Sequence, residues 1–473
     1  MATAAKTKPI LHIEVRLKSS RGVFVRTDLV RREVADWLST EFLNLSIDQD
    51  VNGYDDLEHA HVIDSINVVD ASGTAVDTAV YKLDQVQLDV QAYELHSDDG
   101  SPSRRVIEQW PEQEMDQPQA RVTLLPSRAL SGAWDSLVYE DKIPARLLQF
   151  MTRMILLMKR PGLNLSIFNW NRLILLHGFP GTGKTTLCRA LAQRLTIRLG
   201  RHYTSGKLVE INSHALLSKW FSESGKLVGK MFEDIQTMAN EETTFICVLI
   251  DEVESIAGSR EKSVRGSDCS DGLRATNQLL TALDRLRDRH NIMVMCTSNM
   301  LTAIDPAFLD RVDAKQHIPN PGPTAIYEIF RSCLNELIRT QLITSIPDST
   351  AVTDFGGGSS GTGDYSSSPG SPFASSYGAD SWELLDAVSI PSYAEMNVHL
   401  FNQPLAPARR LWQIAQKCDG LSGRTLRRLP FLALAMHTFG DVCSLHEALS
   451  ALAAAVEQEA YSMRVRDVGA SMV

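Results

Sequence analysis

The string Gly178-Phe179-Pro180-Gly181-Thr182-Gly183-Lys184-Thr185 constrains this chain more than any other feature. It has the spacing of a phosphate-binding loop, with an apolar run before it (Leu173–Leu176) and a helical pattern after it (Thr186–Leu195). In that strand–loop–helix context, glycines let backbone N–H groups turn inward around phosphate oxygens, and the start of the helix adds its positive end. Gly178, Gly181, Thr182 and Gly183 then form the cradle. Lys184 is expected to reach the β- and γ-phosphates, Thr185 to ligate Mg²⁺, and Thr186 to complete the nucleotide-binding set. The expected ligands are ATP and Mg²⁺. A chance match in an ordinary loop is the competing reading, and the flanking pattern argues against it.

Two further segments fit the same chemistry. Phe245–Ile250 is a continuous apolar run, as a parallel strand buried on both faces requires, and it ends in Asp251-Glu252. Carboxylates at that strand end would stand beside the phosphate loop, where open α/β sheets bind ligands. Asp251 is expected to hold the Mg²⁺ shell and Glu252 to orient the attacking water. The run Ile292–Cys296 leads to Asn299, which can touch the γ-phosphate or that water as a sensor. A helix-capping role is the plainer alternative for Asn299.

Four zones divide the 473 residues. Residues 1–110 combine strand patterns (Ile10–Leu17, Val86–Leu95) with one helical pattern, Thr27–Leu43, and predict an α+β N-terminal domain. Residues 111–126 read as a linker. Residues 127–321 alternate apolar runs with helical patterns, which predicts a parallel five-stranded sheet between helices. Residues 322–473 are helical in pattern and predict a lid domain. A Gly/Ser-rich stretch at about 354–380 interrupts the lid; it lacks the apolar content to fold and reads as a disordered insertion.

The net charge of −10 is a poor match to a duplex-DNA binder, which usually shows a basic field. The seven cysteines form no Cys-x-x-Cys pair, so free thiols in a reducing compartment are expected, without zinc or disulfides. Neither a secretion signal nor a membrane-length apolar stretch is apparent, which directs the expectation to cytosol or nucleus.

Together these residues resemble the AAA+ ATPases, and within them the pachytene checkpoint protein 2 family. The resemblance runs from about residue 134 to the C-terminus, less the insertion. It is carried by Glu210–His214, Ser218–Lys226 with its Trp-Phe-Ser-Glu-Ser-Gly-Lys string, Ile250–Ser255, Gly420–Arg424 and Leu429–Ala433. It implies a homohexameric ring that threads substrate through a central pore and converts HORMA-domain proteins from a closed to an open form, directly or through an adaptor. By the same resemblance the protein acts in meiotic recombination and synapsis checkpoint control and in spindle-checkpoint disassembly, in the nucleus on chromosomes and also in the cytoplasm. Neither membrane attachment nor sequence-specific nucleic-acid binding is expected.

Residue by residue, the resemblance puts Trp220 and Phe221 on the first pore loop, where bulky tips grip a peptide of any sequence. Arg311 matches the finger that reaches a neighbouring subunit's nucleotide. Many AAA proteins carry a second arginine three positions earlier; here that position is Phe308, so one finger is supported. Arg424 matches the second sensor on the lid, with Arg427 and Arg428 as alternatives for the same contact. Phe179 departs from the proline more usual after the first loop glycine, and its side chain is expected to point away from phosphates. Two other classes stay in view: a nucleotide-dependent scaffold with little turnover, and a DNA-acting AAA+ motor.

Overall fold

The computed structural model describes residues 8–19, 26–73, 79–97, 120–160, 167–168, 170–213, 224–258, 269–344, 389–400, 403 and 406–470. The Gly/Ser-rich stretch at 354–380, Trp220 and Phe221 lie outside them. The chain forms two compact units. One comprises residues 1–137 and 141–319, and the other residues 138–140 and 320–473.

The first unit opens with the N-terminal domain. Its elements are β1 (Ile10–Leu17), α1 (Thr27–Glu41), β2 (Asn44–Ser46), β3 (Asp50–Val51), β4 (Ile63–Ser72), β5 (Val80–Lys82) and β6 (Gln87–Glu94). The main sheet has the order β3-β4-β1-β6, with β1 antiparallel to β4 and parallel to β6. Leu11, Ile13 and Val15 of β1 are buried with Val30, Val34 and Leu38 of α1 in one core. The α1 residues recur at four-residue intervals, the spacing that puts them on one helix face.

A central α/β module follows in the same unit: β7 (Ala120–Leu125), α2 (Ile143–Met158), β8 (Leu173–His177), α3 (Lys184–Arg198), β9 (Ser205–Asn212), α4 (Ser224–Met238), β10 (Thr244–Asp251), α5 (Cys269–Leu286), β11 (Ile292–Ser298), α6 (Pro306–Asp310) and β12 (Ala314–His317). The sheet order is β12-β8-β11-β10-β9-β7. The five expected strands are parallel, and β7 adds a sixth, antiparallel to β9. This corrects the domain boundary: part of the stretch read as linker, 120–125, is a strand of the module. Six residues of edge strand with half their side chains partly exposed leave little periodicity to find. Seven residues of β10 and all of β11 are buried, the mark of strands covered on both faces.

The α3 helix is buried almost all round, and its last polar residues face the N-terminal domain. Arg194 pairs with Glu14 of β1, Arg198 with Asp70 of β4 at 2.5 Å, and Arg201 with Asp89 of β6 at 3.3 Å. From the other side, Arg31 of α1 donates to the Gly200 carbonyl at 3.1 Å. Residues 194 and 198 stand four apart, the interval that aligns side chains on one helical face, and Arg201 follows in the turn after the helix. The three carboxylates come from three adjacent strands of one sheet.

The second unit is the lid: α7 (Pro323–Arg339), β13 (Ile343–Thr344), α8 (Tyr393–His399), α9 (Pro407–Gln416), α10 (Gly423–His437), β14 (Cys443–Ser444) and α11 (Leu445–Ala470). Its own core gathers Ile326, Phe330, Leu411, Leu426, Leu429 and Leu452. Ser392 and Glu395 form a reciprocal cap at the start of α8.

Candidate active site

The chain leaves β8 at His177 and turns through a loop whose glycines have no easy substitute. Gly178, Gly181 and Gly183 have φ values of 150°, 80° and 89°, which side-chain-bearing residues avoid. A Cβ on Gly178 would stand 2.2 Å from the Ile318 carbonyl oxygen. Gly183 is the N-cap of α3, so the helix begins at Lys184 with its first N–H groups facing the loop. The Lys184 ammonium is buried and donates to the carbonyls of Gly178 at 2.9 Å and Phe179 at 2.7 Å. Thr182 Oγ1 also donates to the Phe179 carbonyl, at 2.9 Å. The Phe179 ring is exposed, so it turns out of the loop as the sequence suggested.

Beside the loop, β10 delivers Asp251 and Glu252. The Thr185 hydroxyl donates to Asp251 Oδ1 at 2.8 Å, and the Thr297 hydroxyl of β11 donates to the same oxygen. Thr297 Oγ1 in turn accepts the Glu252 N–H at 3.0 Å. Glu252 sits at φ 53°, a left-handed backbone that a glutamate rarely adopts and that aims it off the strand end. Asn299 Nδ2 is 3.4 Å from Glu252 Oε1, and the Asn299 N–H donates to Glu254 Oε1 at 2.9 Å. The structure thus gathers Lys184, Thr185, Asp251, Glu252 and Asn299 at one edge of the sheet. A cleft of about 420 Å³ opens there, lined by Thr185, Asp251, Glu252, Asn212, Arg189 and Arg121 among others.

Thr185 and Asp251 supply hard oxygen donors side by side. Magnesium usually takes one or two protein ligands and completes its shell with water and phosphate oxygens, so this donor pair fits it. Thr186 stands next on α3, partly buried.

His177 borders the loop, with the His317 ring 5.2 Å away. Burial, then the neighbouring His317 and Lys184, hold its pKa below the ordinary imidazole value.

The other expected residues lie on other elements or are undescribed. Arg311 caps the end of α6, its guanidinium bound by Asp284 of α5. Phe308, where a second finger would stand, is fully buried in the module's core. Arg424 lies exposed in the first turn of α10, in the lid unit, and Arg427 and Arg428 are exposed on the same helix. Thr297, Glu254 and Asp284 were not singled out from the sequence. Each is a polar residue whose partner lies more than 25 positions away, so no local pattern announces it.

Comparison with known proteins adds a second line. The family model for the ATPase family associated with various cellular activities (AAA) matches residues 174–320. The TRIP13 N-terminal domain matches residues 6–98, and the TRIP13-like AAA+ ATPase lid C-terminal domain matches residues 374–460. The pachytene checkpoint protein 2 homolog of Xenopus tropicalis is 37% identical over 397 residues, covering 84% of this chain and 82% of its own length. That of Homo sapiens is 34% identical over 460 residues, covering 95% and 93%. The structure of C. elegans PCH-2 aligns with a TM-score of 0.65 at 27% identity, over 95% of this chain and 99% of that one.

Proposed function

Because this chain belongs to the pachytene checkpoint protein 2 family of AAA ATPases, we propose that it uses ATP hydrolysis to convert HORMA-domain proteins from a closed to an open form. The observation that carries the reading is the complete hydrolytic set at one sheet edge: Lys184, Thr185, Asp251, Glu252 and Asn299. A scaffold with little turnover has no need of a carboxylate held in a strained backbone beside a sensor amide. Nor does the acidic balance of the chain favour a DNA-acting motor.

In this reading the loop N–H groups and Lys184 bind the triphosphate. Lys184 exchanges its carbonyl partners for phosphate oxygens, a stronger, charge-assisted pairing. Thr185 and Asp251 are the residues that would hold Mg²⁺, whose chemistry is to neutralise charge on the phosphates. Glu252 accepts a hydrogen bond from the attacking water and lines it up with the γ-phosphorus, and Asn299 keeps that carboxylate oriented. Thr297 ties Asp251 and Glu252 together, so the two carboxylates keep a fixed relation. Arg311 is assigned as the finger for an adjacent protomer's nucleotide, Arg424 as the lid's phosphate contact, and Trp220 and Phe221 as the pore grip.

The assembly we propose is a homohexamer working in meiotic recombination and synapsis checkpoint control and in spindle-checkpoint disassembly, on chromosomes and in the cytoplasm, with the N-terminal domain capturing the client directly or through an adaptor. The family membership supports this assignment. Its test is to mix the protein with a closed HORMA-domain protein and ATP and follow the closed-to-open change. The wild type should convert the client and Glu252→Gln should not; equal conversion by both would refute the ATP-driven reading.

A further inference from the structure

Arg311 is gripped by its own chain at both the head group and the backbone. Its Nε donates to Asp284 Oδ1 and its Nη2 to Asp284 Oδ2, both at 2.9 Å, the two-pronged geometry that a guanidinium and a carboxylate form best. Its Nη1 donates to the Ala307 carbonyl at 2.8 Å. The Arg311 carbonyl accepts from Asn171 Nδ2 at 2.8 Å, and Asp313 accepts the N–H groups of Asn171 and Leu173 at 3.3 and 3.0 Å. Asn171 and Leu173 lie at the start of β8, the strand that feeds the phosphate loop. The loop bearing Arg311 is therefore anchored to the nucleotide-binding strand, and its side chain is aimed by α5.

Stability does not explain the pairing with Asp284. The side chains are 27% and 49% exposed, and ion pairs this open to water contribute little to folding. What the pair does supply is orientation. An arginine has four side-chain torsions to fix, and a group that must meet a transition state loses rate steeply when displaced. The three bonds use three of the five guanidinium N–H donors, so one hydrogen on each Nη can meet phosphate oxygens with Asp284 still in place.

We propose that Asp284 is a positioning residue for ATP hydrolysis: it holds the Arg311 guanidinium in the presentation that meets the phosphates bound by an adjacent protomer. This rests on the assignment of Arg311 as a finger acting between protomers.

The test is steady-state ATP turnover by the full chain carrying Asp284→Ala, Asp284→Asn, Asp284→Glu, Arg311→Ala, or Asp284→Ala with Arg311→Ala. Asp284→Ala should lower kcat about 10-fold and leave KM for ATP within about 2-fold, because the misplaced group serves the transition state and not ground-state binding. Asp284→Glu keeps a two-oxygen acceptor and should recover most of the rate. The double variant should be no slower than Arg311→Ala alone. If alanine does not fold, the same-shaped Asp284→Asn gives the reading. A wild-type or faster kcat in Asp284→Ala, with Arg311→Ala impaired, would overturn the positioning role and leave the finger standing. An unimpaired Arg311→Ala would overturn both.

Discussion

Arg198, the last residue of the helix that begins at the phosphate-binding lysine, donates to Asp70 of the N-terminal sheet at 2.5 Å. Its side chain is only 5% exposed, and that of Asp70 20%. The pair is flanked by Arg194 with Glu14 and Arg201 with Asp89, so the N-terminal domain is fastened to α3 and not merely tethered to it. Removing Arg198 leaves Asp70, a partly buried carboxylate, without its charge-assisted hydrogen bond. Arg198→Ala should therefore destabilise the first unit by about 1–3 kcal/mol. Hydrogen exchange should quicken in β1 and β4 before it does in β10 and β11, the buried central strands of the module. Unchanged exchange in β1 and β4 would show that the seam does not hold the domain.

Thr297 offers a sharper probe of the active site, since its one hydroxyl serves both carboxylate-bearing residues. Thr297→Val keeps the shape but leaves the Glu252 N–H without its partner, at a cost of about 1–3 kcal/mol. ATP turnover should fall about 10-fold with nucleotide affinity little altered, because Lys184 and the loop are untouched. A variant that binds and turns over ATP like the wild type would mean that Thr297 does not fix the carboxylates.

At Gly178 the constraint is steric on two counts. The residue has φ 150°, and an added Cβ would meet the Ile318 carbonyl oxygen at 2.2 Å. Neither β8 nor the segment after β12 can shift without disturbing the sheet. Gly178→Ala should cost about 3 kcal/mol and abolish nucleotide binding, as read by denaturant unfolding and by a fluorescent ATP analogue. Tight nucleotide binding by this variant would show that the loop can relax.

His177 gives a pH signature. Its folded pKa is lowered, by burial first and then by His317 and Lys184, relative to the ordinary value of 6.5. The native state therefore binds this proton less readily than the unfolded chain does. The stability tied to the neutral ring is complete above pH 6.5 and is lost as pH falls through the lowered folded value. The ring is partly open to water, which limits the effect to about 0.5 kcal/mol or less. Between pH 7 and about pH 5, His177→Gln should lose less thermal stability than the wild type. Parallel pH profiles would contradict this assignment.

The phosphate loop and the Asp251–Glu252 strand end were legible because each is a contiguous string whose chemistry depends on neighbours in sequence. Five parallel strands were legible for a similar reason, since buried strands read as unbroken apolar runs. What could not be read was anything joining distant segments through single polar residues. Thr297 meets Asp251 across 46 positions, Asp284 meets Arg311 across 27, and Arg198 meets Asp70 across 128. In the same way β7 escaped notice: its pairing with β9 is made across the first half of the module. Arg172 is a further surprise. It is 1% exposed, in a left-handed backbone, donating to the Leu286 carbonyl at 2.8 Å, and burial pulls its pKa down to about 10. An arginine before an apolar run gives no sign that it will cap the end of α5 from inside the core.

The central claim is that ATP is bound by the loop ending at Lys184 and Thr185 and cleaved through Glu252. The measurement that reaches it most directly is nucleotide affinity and turnover in one series: wild type, Lys184→Ala and Glu252→Gln. Glu252→Gln should keep ATP affinity within about 3-fold of wild type while turnover drops at least about 100-fold. Lys184→Ala should lose both. Wild-type turnover in Glu252→Gln, or undiminished ATP binding in Lys184→Ala, would contradict the claim.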